Sequence, residues 1–122
     1  MTNRNLGPRV LGIVCAFVLA AACGGGVGPN GSVVGSSCTT DRDCLNICRT
    51  GDDNFPGGYC TRACASDNDC PGGTACIRRG NNENICAVTC RQASDCTPWG
   101  RGFTCANRDR ASGGEVLVCR VQ

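Results

Sequence analysis

The sequence predicts a small disulfide-rich fold made of three tandem four-cysteine modules of turns and short β-hairpins. Twelve of the 14 cysteines lie between Cys38 and Cys119. The first cysteines of three sets, Cys38, Cys64 and Cys90, are 26 residues apart, and every set opens with C-x5-C, which is the signature of an internal repeat. Apolar residues are few and scattered in this region, so disulfides must supply the stability that an ordinary core would give.

The N-terminal residues 1–22 have the features of an export signal. Arg4 and Arg9 precede an apolar run over 10–21, and small residues lead from this run into Cys23. A membrane-spanning helix needs roughly 17 to 25 apolar residues. The run is therefore expected to be a cleaved signal peptide.

The segment LAAAC at 19–23 resembles the lipobox of bacterial lipoproteins. The resemblance implies that Cys23 becomes the first mature residue and that its thiol carries diacylglycerol. Cleavage by an ordinary signal peptidase is the alternative, and it would leave Cys23 as a free thiol. The mature chain would then hold thirteen cysteines, and this odd number favours lipidation. Gly24, where an aspartate would imply retention in the inner membrane, implies the outer membrane.

The segment 23–37 is expected to be the lipidated cysteine followed by a tether. Residues 24–37 (GGGVGPNGSVVGSS) are too poor in apolar side chains to fold alone, and such a chain spans about 20 Å. The cysteine-rich domain is then expected over 38–122, in repeats of 38–63, 64–89 and 90–122.

Each repeat is expected to contain turns and a short hairpin, with little helix outside the signal peptide. TACIRR and NICAV flank the turn GNNE, and FTCANRD and EVLVCR flank RASGG. The first repeat offers only one clear strand, after the extended turn in DDNFPGGYC. Asp43, Asp69 and Asp95 each precede the second cysteine of a repeat, where an Asx turn or the cap of a one-turn helix is expected.

Spacing alone leaves the disulfide pairing open, since four cysteines allow three pairings in each repeat, and a staggered bond from Cys70 to Cys90 competes with these. The stretch CASDNDCPGGTAC at 64–76 resembles part of the whey-acidic-protein four-disulfide core. In that family the first and third of these cysteines bond, and the second bonds to one near the end of the module. The resemblance implies, by repetition, the pairs Cys38–Cys48, Cys44–Cys60, Cys64–Cys76, Cys70–Cys86, Cys90–Cys105 and Cys96–Cys119.

The order of signal, CGGG tether and DxDC-type cysteine repeats resembles the cysteine-rich lipoproteins of myxobacterial-type bacteria. This resemblance implies a periplasmic or surface-facing lipoprotein and no particular activity. The chain has no histidine, no C-x-x-C, no GxSxG and no P-loop, so it is expected not to be an enzyme and to need no cofactor. From Cys23 onward 10 arginines balance 10 acidic residues, so nucleic acid is not an expected partner.

Two sets of side chains are candidates for binding. The aromatic residues Phe55, Tyr59 and Trp99 are candidate partner contacts, because aromatic side chains dominate interface energetics; in the alternative they fill small cores. Two D-x-D pairs are calcium candidates, although no loop offers the further oxygens that calcium needs, and Asx turns explain the same residues: Asp41, Asp43, Asp67 and Asp69.

Two functions follow from these observations. The first is a non-enzymatic interaction or structural module that meets an unidentified protein, envelope or matrix partner. The second is a protease inhibitor, in which a disulfide-framed loop presents Arg49, Arg62 or Arg79 as a substrate-like residue. Preorganisation by disulfides serves both functions.

Overall fold

The computed structural model describes residues 26–80 and 83–122. This part of the chain contains three two-stranded antiparallel sheets and three short 3-10 helices, and no helix in it is long and apolar enough to cross a bilayer. The strands are β1 (Ile47–Arg49), β2 (Tyr59–Thr61), β3 (Thr74–Gly80), β4 (Glu83–Val88), β5 (Phe103–Asp109) and β6 (Glu115–Val121). The 3-10 helices are Asp41–Asp43, Asp67–Asp69 and Ala93–Trp99. The predicted disulfide-rich fold of short hairpins is confirmed.

All three repeats share one local plan, a 3-10 helix followed by a hairpin. The first repeat also forms a hairpin, β1 with β2, although its sequence offers only one clear strand. Its strands have three residues each, and most of the intervening segment is a loop that folds inward to bury Phe55. So short a hairpin leaves no alternating pattern in the sequence.

The twelve cysteines between Cys38 and Cys119, which we call the cysteine ladder, form six disulfides, each within one repeat. In every hairpin the third and fourth cysteines of the repeat face each other across the strands, yet they bond back to the first and second. The bonds are Cys38–Cys48, Cys44–Cys60, Cys64–Cys76, Cys70–Cys86, Cys90–Cys105 and Cys96–Cys119, the pairs that the resemblance implied. They fasten each 3-10 helix to its own hairpin, and their number indicates an oxidising, exported environment.

The three repeats share a single hydrophobic core. Phe55 and Tyr59 of the first repeat stack with ring centroids 4.2 Å apart, and they belong to one cluster with side chains from the other two repeats. The buried members of this cluster are Val34, Phe55, Tyr59, Ile77, Ile85, Cys86, Ala87, Val88 and Val118. Full burial of a side chain of the size of Ile77 or Ile85 stabilises a fold by about 1.5 to 3 kcal/mol. The repeats are thus bonded separately but packed as one body.

The described part of the expected tether, residues 26–37, is folded against the domain, and we call it the strap. The expectation of a flexible, unfolded tether is not met over these residues. Val34 is fully buried in the core, and the N–H groups of Val33 and Val34 both donate to the Gly26 carbonyl oxygen at 3.0 Å. Gly35 donates from its N–H to the carbonyl of Cys60 at 2.9 Å. The strap is poor in apolar side chains, so it is held against the domain by one buried valine and a set of backbone hydrogen bonds.

Gly35 shows why glycines suit the strap. Its φ is +122°, a conformation that side chains rarely adopt, and a Cβ at this position would collide with the carbonyl of Gly28. The glycines that indicated flexibility in the sequence therefore allow a tight, close-packed path.

Candidate functional site

An open polar cleft of about 400 Å³ is formed jointly by the three repeats, and we call it the three-repeat cleft. The first repeat contributes a loop, the second a residue near the end of β3, and the third a residue near the end of β5. The lining residues are Gly51, Asp52, Asp53, Asn54, Arg79 and Arg108. Sequence reasoning missed Asp52, Asp53, Asn54 and Arg108, because residues from three repeats show no shared spacing.

Arg79 is held in place by contacts on three sides. Its Nη2 donates to the carbonyl of Thr50 at 2.8 Å, and its Nη1 donates to Glu83 at 3.2 Å. Its Nε lies 3.4 Å from an Asp52 oxygen, without the alignment of a hydrogen bond. Glu83 also accepts the Nε–H of Arg49 at 2.8 Å, and this bond lowers the pKa of Glu83. The arginine wall of the cleft is therefore a fixed network that joins the first two repeats.

Arg108 lines the cleft from the third repeat. Its guanidinium lies 5.9 Å from the centroid of the Phe55 ring, donates to the Asn54 side-chain oxygen and donates to the Arg78 carbonyl at 2.6 Å. Burial lowers the pKa of Arg108, but a guanidinium remains charged in proteins. Asp53 stands exposed on the rim. The cleft thus offers fixed cations and an exposed carboxylate to a polar partner.

Two of the three aromatic candidates for partner contact are buried, so that prediction is corrected for Phe55 and Tyr59. They are 1% and 2% exposed because they fill the shared core, as the alternative held. The Tyr59 hydroxyl accepts the Val88 N–H at 3.0 Å, and burial raises the pKa of Tyr59. Neither ring can meet a partner without unfolding.

Trp99, the third aromatic candidate, lies half-buried in a second depression of about 220 Å³. We call this depression the Trp99 groove; its apolar lining includes Pro29, Pro56, Pro98, Trp99 and Phe103. The Trp99 indole N–H donates to the carbonyl of Gly35 at 2.9 Å, and its ring stacks near Phe103 with centroids 6.4 Å apart. Trp99 therefore ties the third repeat to the strap and keeps part of its ring accessible.

The aspartates proposed for calcium make structural hydrogen bonds instead. Asp41 and Asp67 accept the backbone N–H groups of Cys48 and Cys76, each at 2.8 Å. Asp43 accepts from residues at the start of its own helix. Among the described residues, side chains that could hold a metal together are cysteines only, and all of these are in disulfides. The aspartates of a pair direct their oxygens to different parts of the chain and do not converge on one point.

The second aspartate of each pair caps the N-terminus of a 3-10 helix. Asp43 accepts the N–H groups of Thr39 and Thr40 at 2.9 and 3.2 Å, and these bonds lower the pKa of Asp43. Asp69 accepts those of Ala65 and Ser66 at 2.7 and 3.3 Å, which lowers the pKa of Asp69.

The third repeat has the capping aspartate but lacks the first aspartate of the D-x-D pair. Asp95 accepts the N–H groups of Arg91 and Gln92 at 2.9 and 3.2 Å. Alanine stands at 93, where Asp41 and Asp67 stand in the other two repeats. The aspartate before the second cysteine in every repeat is therefore a turn residue.

The three arginines considered for protease inhibition lie within packed or paired segments. Arg49 and Arg79 are engaged in ion pairs with Glu83. Arg62 is exposed, but its carbonyl accepts the N–H of Cys86 at 3.2 Å, and the next residue, Ala63, pairs with Ile85. No contact of these three residues favours the inhibitor hypothesis, which stays a prediction.

The lipidation site predicted at Cys23 and the signal peptide at 1–22 lie outside the described residues. No protein-family model, curated protein or solved structure matches this chain. The assignment of function therefore rests on the chain's own residues.

Proposed function

We propose that the chain is an exported outer-membrane lipoprotein, anchored through Cys23, whose stapled repeats form a non-enzymatic module that binds a protein partner through the three-repeat cleft. The main support for a binding role is that residues from all three repeats line the cleft. Each repeat supplies part of one site, so the site exists only when all three are folded and packed together.

The cleft suits recognition rather than catalysis. Arg79 is immobilised between the first two repeats, and Arg108 is held against Phe55, so neither side chain must lose much freedom when a partner binds. The rim carboxylate of Asp53 adds an acceptor to these donors. A partner with a polar surface that carries both charges fits this arrangement.

Site-specific crosslinking tests the binding role. A photo-reactive phenylalanine analogue is placed at Asp53 on the rim, and a control is placed at Asn68, which is exposed on the second 3-10 helix. Illumination of native membranes should give a discrete adduct from position 53 only. The adduct should weaken when Arg108 is replaced by Gln in the same chain. Equal labelling from both positions, or an adduct indifferent to Arg108, would contradict the proposal.

Fractionation tests the anchor separately. Cys23→Ser removes the sulfur that accepts the lipid and leaves the six bridges untouched, so the variant should leave the membrane fraction with its disulfides intact. A variant that sediments with membranes as the wild type does would refute the lipid anchor.

A further inference from the structure

The docked strap fixes how far the folded domain can lie from an anchor at Cys23. Two residues lie between Cys23 and Gly26, where the strap begins, and the three Cα–Cα steps from Cys23 to Gly26 span at most about 11 Å. The expected free tether over 24–37 would have allowed about 20 Å on average. With residues 26–37 packed against the domain, the domain itself must sit next to the point of attachment.

The surface around this point carries accessible apolar side chains. The Gly26 carbonyl oxygen accepts the N–H groups of Val33 and Val34. The carbonyl of Ser32, the residue before Val33, accepts the N–H of Leu45 at 2.8 Å. Leu45 is 69% exposed, more than the other exposed large hydrophobic side chain of the described residues, Leu117 at 38%. An exposed leucine beside a lipid attachment point is positioned to enter a bilayer surface.

The Trp99 groove lies in the same part of the molecule. Trp99 donates to Gly35, three residues along the strap from Ser32, and the strap residue Pro29 lines the groove. An indole with an apolar body and a polar N–H is suited to the boundary between lipid and water.

Arg79, which lines the three-repeat cleft, lies toward the opposite end of the second hairpin from the strap contact at Gly73. Val27 of the strap lies beside Gly73, immediately before β3, whereas Arg79 is near the far end of that strand. Six residues of extended strand span roughly 20 Å. Arg79 of the three-repeat cleft therefore lies at the end of β3 that is remote from the Val27 contact.

We infer that the strap end, defined by Leu45, Pro29 and Trp99, rests on the lipid surface. This inference rests on the proposed lipid anchor at Cys23. The strap end contacts the bilayer because only a short segment separates it from the lipid on Cys23. This surface therefore meets the membrane before any other part of the domain. The strap thus has an orienting role, because it fixes which face of the domain meets the membrane.

Fluorescence quenching of the full lipidated protein in phosphatidylcholine vesicles with brominated acyl chains tests this orientation. The chain has a single tryptophan, so three single-tryptophan proteins can be compared: the wild type, Leu45→Trp with Trp99→Phe, and Leu117→Trp with Trp99→Phe. The two engineered proteins share the lost Trp99 hydrogen bond and differ only in probe position. Quenching should be several-fold stronger at position 45 than at 117, which lies on β6 of the third hairpin, and the wild type should also be quenched.

Intact-mass measurement and sedimentation with vesicles distinguish a failure of the proposed orientation from a failure of the lipid anchor. A protein that carries its lipid and sediments, but is quenched equally at 45 and 117, keeps its anchor and overturns the orientation. A protein without lipid on Cys23 overturns both. Gly35→Ala, which displaces the strap, should reduce the quenching at 45 in the lipidated protein without releasing it from vesicles; unchanged quenching there would also overturn the orienting role.

Discussion

The indole N–H of Trp99 donates to the carbonyl oxygen of Gly35 at 2.9 Å, across a sequence separation of 64 residues. This bond joins the third repeat to the strap, a segment whose glycines and serines predicted a free tether. The strap also places Val34 in the shared core. The folded unit therefore begins before the first cysteine of the ladder.

Docking of the strap predicts resistance to proteolysis at residues 26–37 in the oxidised protein. Gly35→Ala should abolish this resistance, because its Cβ would collide with the Gly28 carbonyl. Gly28→Ala is the matched control: its φ is also positive, at +130°, but no atom lies within 4 Å of the added Cβ. Proteinase K digestion followed by mass spectrometry measures the difference. Equal cleavage of the two variants, or rapid cleavage of the wild type, would show that the strap is not docked.

Burial of Tyr59 predicts an abnormal alkaline titration. Its pKa is raised in the folded state, so its contribution to stability is complete below the unfolded value of about 10 and is lost as pH rises toward the folded value. It is the chain's single tyrosine, so tyrosinate absorbance reports on it alone. The folded protein should show little tyrosinate at about pH 11, whereas the reduced, denatured chain should titrate near pH 10. Coincident titrations would contradict the burial.

Replacing Tyr59 by Phe tests the hydrogen bond of its hydroxyl group. The variant leaves the buried N–H of Val88 without its acceptor, so the free energy of unfolding should fall by about 1 to 3 kcal/mol. Denaturant unfolding with the disulfides intact measures this loss. A variant as stable as the wild type would show that the bond contributes nothing.

The capping aspartates predict a loss of stability in acid. The pKa values of Asp43 and Asp69 are lowered by backbone N–H groups, so their contribution is present above the unfolded value of about 3.9 and is lost as pH falls through the folded values. Asp43→Asn with Asp69→Asn should flatten the fall in unfolding free energy below about pH 4. Asp53→Asn, at an exposed rim position, is the control and should keep the wild-type acid profile. If both variants lose stability alike in acid, the caps do not control it.

The shared core predicts that the loss of some disulfides lowers hydrogen-exchange protection in neighbouring repeats, whereas the loss of others affects one repeat only. Cys96→Ala with Cys119→Ala should lower hydrogen-exchange protection in β3 and β4 as well as in the third repeat, because Val118 packs in the common core. Cys38→Ala with Cys48→Ala removes a bond from a separate small cluster, so its effect should stay within the first repeat. If loss of the Cys96–Cys119 bond leaves β3 and β4 fully protected, the repeats are independent.

The sequence predicted the parts of the fold that are set by local periodicity. The 26-residue period located the three modules, and the aspartate before each second cysteine predicted the helix caps at Asp43, Asp69 and Asp95. The longer strands were predicted from the segments that flank the turns GNNE and RASGG. Short-range spacing determines all of these features, so they can be read without tertiary information.

Features that depend on contacts between repeats could not be predicted in this way. Phe55 and Tyr59 are isolated aromatic residues in the sequence, and only the packing of three hairpins decides that they form one core. Val34 and Gly35 belong to a segment whose composition resembles a linker. Arg79 and Arg108 line the same cleft from different repeats, and no sequence spacing connects them.

Twelve cysteines close six bridges within the repeats, and we propose that Cys23 carries the lipid. Non-reducing peptide mapping by mass spectrometry, on protein extracted from native membranes, tests both parts at once. The expected map contains an acylated N-terminal peptide that begins at Cys23 and six linked peptides, each within one repeat. A linked Cys70–Cys90 peptide, or a mature chain in which Cys23 is a free thiol or a disulfide partner, would contradict the claim.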